Sequence, residues 1–586
     1  MLLPTIQSVK LSGDTISAFT GLNKTNTCSE NECKSMLNMT MDNYPYLATR
    51  KRKMIADLGL TDIKGVLSGE ELTIVSTDKI TSLKNDGSIE QITGSLSDSE
   101  KTLVRMGNYI CIFPDKKVYD GSSIKDMGAS FSTSSVTFTL TNAKGEVITY
   151  HDAAYYEKNT PTDGCYLLTE EDGQNVLKQY NLATGSWVNI TTSYVMASAT
   201  GIGAEFEQFD GLKMSLNLND TAWEEVTNLF PTEEDGIYSA TYPIKDVSAN
   251  AITFVGLITE TKALTNVTFT VTREVPDIEF VTESMNRLWA CNKEGTEIYA
   301  TKLGNPFNWN CFEGISTDSW ACSVGSDGEF TGAVTYLGYP TFFKENSLIK
   351  IGISSNGAHQ TKETVCRGVK KGCSKSLCVV NEILFYMSNN EICAYDGSLP
   401  ESVSVKLGNL NKCSSAISGR HNSKYYIACT IKGEVNTYVY DVNLGIWSED
   451  AKTAYKAFAT WGDNLVGVID NKLHFYGEND VKSDIESLVK WSCESMVFDF
   501  YTPNAKYIHK LVIKAQMNAG SRATAYISYD SGKYERLFEM RTVGVKVFPF
   551  SIKPHRCNHF QIKLEGIGDT TIQQITKVYE EGSEIY

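Results

Sequence analysis

The sequence of 586 residues has few of the features that mark membrane, fibrous or helical proteins. No apolar run approaches the roughly 20 residues that cross a bilayer, and no basic stretch followed by an apolar one opens the chain. Apolar residues rarely recur at helical spacing, whereas the composition, 41% hydrophobic and 21% charged, is that of globular proteins. We therefore expect a soluble protein with almost no helix and no membrane insertion, synthesised in a cytoplasm.

The motifs of the common catalytic classes are missing as well. No G-x-S-x-G, H-E-x-x-H, phosphate-binding loop or dinucleotide fingerprint occurs, and only seven histidines are present to act as bases. The fifteen cysteines are scattered from Cys28 to Cys557 without C-x2-C spacing, which favours reduced, buried thiols over a zinc site or a disulfide scaffold. The sequence therefore predicts no catalytic site, no cofactor and no metal, and we expect no enzyme.

Two groups of residues could still carry chemistry. On a strand, His555, Cys557 and His559 would share one face and could ligate a metal, although exposed imidazoles at the rim of a sheet explain them as well. The acidic residues at 224–225 and 233–235 could supply the two carboxylates of a glycosidase, but they lie in polar turns, where a solvated acidic surface is the usual outcome. We predict a site from neither group.

Aromatic side chains form a third group. Trp289, Tyr299, Phe307 and Trp309 are close in the sequence and could stack against a sugar ring. In repeated β hairpins, however, aromatic residues usually fill the space between neighbouring sheets. We therefore interpret these four as packing residues.

Short β runs dominate the sequence. Alternating or β-branched runs bounded by Gly, Asn and Asp occur throughout and predict an all-β protein. The dipeptide Asp-Gly supplies the positive φ angles that tight hairpins need. It occurs eight times, at Asp86, Asp120, Asp163, Asp172, Asp210, Asp235, Asp327 and Asp396.

Seven of the runs form a repeated hairpin unit. They begin near Gly69, Gly107, Asn286, Gly338, Asn381, Ser423 and Asp463. Successive starts are 38 residues apart for the first pair and 52, 43, 42 and 40 residues apart in the later set. A β repeat of about forty residues is typical of four-stranded propeller blades, each of which buries a face only against its neighbours. The sequence therefore predicts a β-propeller.

The spacing of the units also predicts the domain boundaries. The interval between Gly107 and Asn286 is far too long for one blade, and after about residue 486 the strands lengthen in the manner of a β-sandwich. The predicted order is an irregular N-terminal arm that wraps a neighbour or closes the ring (1–50), the first propeller blades (51–125), an inserted acidic β domain (126–280), the remaining blades (281–485) and a C-terminal β-sandwich (486–586).

Charge is concentrated in the predicted insert. The net charge of the chain is −16, and residues 126–280 alone hold 22 acidic and 7 basic residues. Such a surface repels the phosphates of DNA. The strongest basic run, Arg50, Lys51, Arg52 and Lys53, is a candidate contact for DNA or for another subunit.

One segment, NRLWACNKEGTEIYATKLGNPFNWN (286–310), resembles a blade of bacteriophage and prophage tail proteins. GLNKT (21–25), NYPYLATRKRK (43–53) and HRCNHFQIKLEGIGD (555–569) are similar to flanking segments of the same proteins, whereas the insert matches in position only. The class is the propeller-bearing tail nozzle, or packaged-DNA stabilisation, proteins of short-tailed phages. Its signature in this chain comprises Asn286, Arg287, Leu288, Trp289, Gly304, Asn305, Pro306 and Trp309.

The resemblance implies a structural virion protein without catalysis, a ring-forming subunit of a tail nozzle or hub that lines or surrounds the DNA exit channel. The implied partners are further copies of the chain, other tail or head-to-tail connector proteins, and passing double-stranded DNA without tight binding. The implied location is the virion tail, assembled in the bacterial host cytoplasm. An acidic insert suits such a channel, since cationic contacts would slow the passage of DNA.

Two alternatives stay open at the level of sequence. One is a phage receptor-binding or glycan-binding adhesion protein, whose partner would be a host surface glycan. The other is a propeller glycosidase or depolymerase that uses a pair of carboxylates.

Overall fold

The computed structural model describes residues 11–354, 357–477, 481, 483–500 and 502–582. Within these ranges the protein is almost entirely β, which confirms the predicted class of a β-propeller with an inserted β domain and a C-terminal β-sandwich. Helical residues of the described ranges are confined to four single turns: α1 (Ala153–Tyr156), α2 (Val226–Leu229) and two 3-10 turns at Ser374–Ser376 and Val405–Leu407.

Five short strands come before the first blade. They are β1 (Ser12–Ile16), β2 (Cys33–Leu37), β3 (Met39–Thr40), β4 (Leu47–Thr49) and β5 (Met54–Ala56). We predicted an irregular arm over residues 1–50. From residue 11 onward this segment instead supplies four strands to the C-terminal sheets, while residues 1–10 lie outside the described residues.

The first two propeller blades are four-stranded antiparallel sheets. Blade 1 contains β6 (Gly65–Leu67), β7 (Leu72–Val75), β8 (Lys79–Leu83) and β9 (Ile89–Thr93), and blade 2 contains β10 (Thr102–Met106), β11 (Tyr109–Phe113), β12 (Lys117–Tyr119) and β13 (Ile124–Asp126). In some strands of these blades hydrophobic residues alternate with polar ones. Where two blades meet, hydrophobic residues are buried on both faces of the strand, as stacked sheets require.

The insert follows blade 2 and has a hydrophobic core of its own. Its strands are β14 (Ala129–Thr141), β15 (Tyr150–His151), β16 (Tyr166–Glu171), β17 (Gln174–Asn181), β18 (Ser186–Asn189), β19 (Tyr194–Ser198), β20 (Gly211–Asn217), β21 (Thr232–Glu234), β22 (Ile237–Pro243), β23 (Asp246–Ser248), β24 (Ala251–Val255) and β25 (Lys262–Arg273). Eight strands form one sheet in the order β21-β22-β20-β25-β14-β19-β24-β23, and β15 to β18 form a smaller sheet. Phe138, Phe254 and Phe269 are fully buried in the core between them, so the insert is a packed unit.

Five more blades follow the insert. Blade 3 contains β26 (Phe280–Ser284), β27 (Arg287–Cys291), β28 (Glu297–Ala300) and β29 (Trp320–Ser323); blade 4 contains β30 (Gly332–Tyr336), β31 (Tyr339–Phe343), β32 (Ser347–Ile353) and β33 (His359–Val365); blade 5 contains β34 (Cys378–Val380), β35 (Ile383–Met387), β36 (Ile392–Tyr395) and β37 (Glu401–Ser402); blade 6 contains β38 (Cys413–His421), β39 (Lys424–Ile431), β40 (Glu434–Asp441) and β41 (Ile446–Glu449); blade 7 contains β42 (Ala457–Trp461), β43 (Asn464–Ile469), β44 (Lys472–Phe475) and β45 (Asp484–Ile485). The described residues therefore form a seven-bladed propeller.

The predicted hairpin units coincide with the blades. Each of the seven starts lies at the turn between the first and second strands of one blade. Seven of the eight Asp-Gly glycines have positive φ, as their turns require. The exception, Gly211, begins β20, where an added Cβ would lie 2.0 Å from the carbonyl oxygen of Asn310. Glycine is needed there for a close approach of two backbones.

An N-terminal strand closes the ring of blades. β5 joins blade 7 between β44 and β45, with Ala56 opposite Leu473 and Met54 opposite Phe475. The first strands of blades 7 and 1 also meet, and Gly69 forms a bridge with Trp461. We predicted that residues from 51 onward begin the first blades. Residues 54–56 complete the last blade instead. The sequence did not show this, because a strand of three residues whose partners are distant in the chain has no recognisable pattern.

Two sheets make up the C-terminal sandwich. Its own strands are β46 (Lys490–Ser495), β47 (Lys506–Met517), β48 (Arg522–Tyr529), β49 (Glu535–Met540), β50 (Gly544–Ser551), β51 (Arg556–Cys557), β52 (Phe560–Ile567) and β53 (Thr570–Glu581). One sheet has the order β2-β46-β52-β48-β49; the other runs β3-β4-β53-β47-β50, with β1 beside β53 and β51 beside β47. Ile16 lies opposite Ile575 and Leu47 opposite Ile572, so both ends of the chain share these sheets.

The sandwich packs against blades 5 and 6. One continuous buried cluster contains Phe385 of blade 5, Tyr425 of blade 6 and Trp491 of the sandwich. The N-terminal segment lies in this junction, where the fully buried Leu22 donates its backbone N–H to the carbonyl oxygen of Trp447 at 2.7 Å. The propeller and the sandwich therefore share a core.

Candidate functional site

The signature segment 286–310 forms two strands of blade 3 and most of the long loop that follows them. Leu288 is buried with residues of blade 2, whereas Trp289, its neighbour, is buried with residues of blade 4. Successive side chains of a strand point to opposite faces, so this pair fills both gaps beside the blade. The Trp289 indole N–H donates to the Ser284 carbonyl oxygen at 3.3 Å.

Arg287 shapes the loop between β28 and β29. Its buried guanidinium donates to the carbonyl oxygens of Thr301 and Ser316, each at 2.7 Å, and to that of Asp318. Three carbonyls spread over a long loop are thus held by one planar donor group, which lysine could not reproduce.

The Leu-Gly-Asn-Pro turn of the signature begins that loop. Gly304 has a φ of 77° and donates its N–H to the carbonyl oxygen of Asn286, which itself has a φ of 58°. The Asn305 side chain accepts the N–H of Phe307 at 2.9 Å, across Pro306. These contacts are the ordinary devices of a tight turn.

Beyond the turn, the loop holds the insert. Asn308 is fully buried; its side-chain amide donates to the carbonyl oxygen of Phe209 at 2.5 Å and its amide oxygen accepts the N–H of Gly211 at 3.2 Å. Trp309 is buried in the cluster that blades 2 and 3 share. Both amide contacts reach residues of the insert. The segment that resembles phage tail proteins is therefore also the part of the propeller that holds the insert in place, and we call this attachment the seat of the insert.

A buried ion pair completes this seat. Arg273, at the end of β25, donates to Asp210 at 2.8 Å, to the carbonyl oxygen of Met127 at 2.9 Å and to that of Glu205 at 3.2 Å. The side chains of Arg273 and Asp210 expose 9% and 1% of their surface. Since Met127 lies where the chain enters the insert and Arg273 where it leaves, one guanidinium ties both connections together. The guanidinium also lies over the Phe307 ring, 5.4 Å from its centre.

Four signature residues border an open cleft between blade 2 and the insert. This cleft has a volume of about 1130 Å³. Asn286, Gly304, Asn305 and Pro306 line it together with charged groups of both blade 2 and the insert. These are the carboxylates of Asp120, Asp126, Glu205, Glu207 and Asp210 and the cations of Lys125 and Arg273, so the charged lining is mainly acidic.

The basic run divides into two cations that form ion pairs, the partly buried Arg50 and the buried Lys53, and two that are exposed. Arg50 pairs with Asp450 at 2.6 Å and with Glu486 at 2.7 Å, and Lys53 pairs with Asp450 at 3.0 Å. Lys51 and Arg52 are exposed. Arg50 and Lys53 are therefore engaged inside the chain beside the ring-closing strand β5, and only the two exposed cations are accessible to DNA or to another subunit.

The remaining sequence candidates do not converge. Cys557 is buried and donates to the carbonyl oxygen of Lys506, whereas His555 is exposed and its ring lies tilted against that of Tyr529, with 4.8 Å between the ring centres. His559 lies beside Asp530 at 3.7 Å. The three candidate ligands thus face different surroundings, because the chain is a strand only over Arg556–Cys557 at this point.

The acidic candidates lie apart from one another. Residues 233–235 are exposed at the hairpin of β21 and β22, while the Glu225 carboxylate accepts the Thr259 hydroxyl at 2.8 Å.

Of the aromatic group, Tyr299 and Phe307 are partly buried against the cluster that blades 2 and 3 share.

The central channel of the propeller is lined by ion pairs. It has a volume of about 650 Å³, and Lys375 of blade 5 reaches Glu100 of blade 2 at 2.6 Å. Lys64, which also lines the channel, lies 2.8 Å from Asp62 and 2.6 Å from the exposed carboxylate of Asp98.

Sequence reasoning missed the residues that seat the insert. Asp210 looks like half of an Asp-Gly turn, Arg273 belongs to no motif, and Asn308 lies within the signature segment 286–310 without a predicted contact. Their partners are far away in the sequence, so composition and periodicity carry no signal for them.

Comparisons with known proteins assign no family. No family model matches the sequence, and no curated protein matches it. Among solved structures, an exo-β-1,3-galactanase of Phanerochaete chrysosporium is similar over 50% of this chain and 92% of its own, with 7% identity and a TM-score of 0.20. A protein of Lactobacillus plantarum is similar over 58% of this chain and 100% of its own, with 11% identity and a TM-score of 0.25. An essential surface component of the type-IX secretion system of Porphyromonas gingivalis is similar over 89% and 81%, with 10% identity and a TM-score of 0.23. At these TM-scores the similarities carry no argument about function.

The described residues contain no helix that is both long and apolar enough to cross a membrane.

Proposed function

We propose that this chain is a structural, ring-forming subunit of a bacteriophage tail, a nozzle or hub protein whose acidic insert faces the path of the DNA. Its partners are copies of itself and the adjoining tail or connector proteins, and it acts in the virion without catalysis. The observation that carries the proposal is the surface charge of the insert, where nineteen of 22 acidic residues are exposed against three of seven basic ones. A wall of that charge keeps phosphates at a distance, so that DNA slides past without being bound.

The rigid seating of the insert supports the same role. The insert is held by a buried ion pair, by two hydrogen bonds to Asn308 and by a close backbone contact at Gly211. A domain fixed in this way keeps its acidic surface in one orientation, as a channel wall requires. Within the phage-like signature, Leu288, Trp289 and Trp309 pack between blades, and Arg287, Gly304 and Asn305 shape the loop that carries Asn308, in agreement with a structural role.

Imaging of the purified full-length protein and of virions tests the proposal. We expect a closed ring with a central hole, with the insert on the inner side of the ring. A monomer, or an insert that points away from the DNA, would contradict it. Saturable binding of the intact chain to a host surface glycan would favour the adhesion alternative instead. The intact chain is needed because residues 486–586 alone lack the four N-terminal strands of their sheets.

Reversing the charge of one exposed acidic hairpin should create DNA binding. In a variant with Glu233→Lys, Glu234→Lys and Asp235→Lys, we expect duplex DNA to bind with a log–log salt slope of about −2.7, because each new phosphate contact contributes about −0.9. The affinity should then fall roughly 40-fold between 50 and 200 mM salt. Fluorescence anisotropy of a labelled duplex measures both quantities.

The matched control carries Gln, Gln and Asn at the same three positions. It removes the negative charges without adding cations, and we expect it to behave like the parent protein, which should not retain DNA. Tight, salt-dependent binding of DNA by the parent protein would contradict the proposed channel wall.

A further inference from the structure

The loop between β28 and β29 brings a thiol and two carboxylates together beside the insert. The Cys311 Sγ atom and one carboxylate oxygen each from Glu313 and Asp318 lie within 4.8 Å of one another. Cys311 is fully buried, and the side chains of Glu313 and Asp318 expose 12% and 9% of their surface. Thiolate and carboxylate groups are the ligands of divalent transition metals in proteins.

The outer oxygen of each carboxylate is already held in place. Asp318 Oδ2 accepts the backbone N–H groups of residues 313–315 at 2.5, 2.7 and 3.1 Å, and Glu313 Oε1 accepts the ammonium group of Lys245 from the insert. The inner oxygens face the thiol, and Glu313 Oε2 lies 3.9 Å from Cys311 Sγ. Fixed outer contacts of this kind are what orient the ligands of metal sites.

One inner oxygen lacks a partner. Asp318 Oδ1 is buried and accepts no hydrogen bond from any part of the chain that the structure describes. The nearest cation, the ammonium group of Lys302, is 3.7 Å away, which is too long for a hydrogen bond. Since buried polar atoms are almost always satisfied, this oxygen is available to accept a bound ion or a water molecule.

The ammonium group of Lys302 lies where a metal ion bound by the three ligand atoms would lie. Its Nζ atom lies 3.4 Å from Cys311 Sγ and 3.7 Å from both Glu313 Oε2 and Asp318 Oδ1. One positive charge is thus almost equidistant from the three ligand atoms. A flexible lysine chain can leave such a position when a more highly charged ion enters.

We propose that Cys311 Sγ, Glu313 Oε2 and Asp318 Oδ1 form a binding site for a divalent transition-metal ion, with Zn²⁺ as the best fit, and that the Lys302 ammonium group fills this site in its absence. A tetrahedral Zn²⁺ with bonds of about 2.0–2.3 Å holds its ligand atoms about 3.5 Å apart. The three atoms, which lie within 4.8 Å of one another, need to close by about 1.3 Å at most. A water molecule would complete the tetrahedron. We predicted no metal site from the sequence, because one cysteine and two carboxylates match no ligand spacing.

Metal titration of the full-length, reduced protein tests the site. Zn²⁺ is followed by calorimetry and Co²⁺ by its thiolate absorption band, in the parent protein and in the variants Cys311→Ser, Asp318→Asn and Lys302→Met. We expect one ion per chain at this site, at least tenfold weaker binding in Cys311→Ser and in Asp318→Asn, and at least tenfold tighter binding in Lys302→Met, which removes the competing charge.

Cys322→Ser is the matched control, since Cys322 is a partly exposed cysteine of β29, the strand that follows the loop. It should bind like the parent protein. Equal affinity and absorption in Cys311→Ser and the parent would overturn the proposal, and so would unchanged affinity in Lys302→Met. The lysine variant keeps all three ligands, so it decides the matter even if Cys311→Ser fails to fold.

Discussion

In an Asp450→Asn variant, we expect the backbone amides of β5 and β44 to exchange with solvent about two to four orders of magnitude faster than in the parent protein. Asp450 is buried between Arg50 and Lys53, and removal of one member of a buried ion pair costs about 3–5 kcal/mol. Because both cations lie directly before the ring-closing strand β5 in the chain, the loss should appear as local opening of the ring. Hydrogen exchange followed by mass spectrometry measures it.

The pH dependence of the same exchange gives an independent check. Burial alone would raise the pKa of Asp450, but the charges of Lys53 and Arg50 outweigh it and the pKa lies below its ordinary value. A carboxylate with a lowered pKa stabilises the fold above its unfolded pKa of about 3.9, and this stabilisation is lost as the pH falls through the folded pKa. Protection of β5 in the parent protein should therefore decrease from about pH 4 downward.

The Asn variant cannot titrate at position 450. The part of the acid-dependent loss of β5 protection that comes from Asp450 should therefore be absent from it. Asp484→Asn, an exposed carboxylate on β45 in the same sheet, is the matched control and should exchange like the parent protein. Equal exchange of β5 in Asp450→Asn and Asp484→Asn would refute the role of the ion pair in ring closure.

An Asp210→Ala variant should release the insert from its seat while the propeller stays folded. The change leaves the buried Arg273 guanidinium without its carboxylate, at a cost of about 3–5 kcal/mol. We expect cleavage at the connections near residues 127 and 273 to accelerate by about two to four orders of magnitude under native conditions, since slow proteolysis follows the population of the open form. Limited proteolysis with mapped fragments measures the rate.

Two further variants separate loss of the ion pair from loss of the fold. Asp220→Asn removes the charge of an exposed carboxylate of the insert, keeps a residue that tolerates the positive φ of 75° at this position, and should leave the cleavage rate unchanged. The double variant Asp210→Leu with Arg273→Met replaces the buried pair by apolar side chains and should recover most of the protection, because no uncompensated charge remains. A double variant as labile as Asp210→Ala would mean that the guanidinium contacts to Met127 and Glu205, not the ion pair, hold the insert.

The hairpins of the blades could be predicted from the sequence because they depend on neighbouring residues only. Each of the seven predicted hairpins is a blade hairpin, because alternation of side chains and the positive φ of turn residues are properties of a few consecutive residues. The Asp-Gly signal held for seven turns and differed at Gly211, where the need for glycine comes from a backbone in another domain. The basic run shows the same difference between local and distant residues. The sequence identifies its four cations but not the carboxylates that form ion pairs with two of them.

By itself, the sequence determined the all-β class, the repeated hairpins, the position of an acidic insert and the lack of a familiar catalytic motif. Only the tertiary structure decided that β5 closes the ring, that residues 12–49 belong to the C-terminal sheets, and that Arg273 and Asn308 seat the insert. It also decided which side chains surround Lys302. The physical reason is the range of the interaction. Turns and strand alternation are set by neighbours in the chain, whereas ion pairs and strand partners depend on residues that come together only when the whole chain has folded.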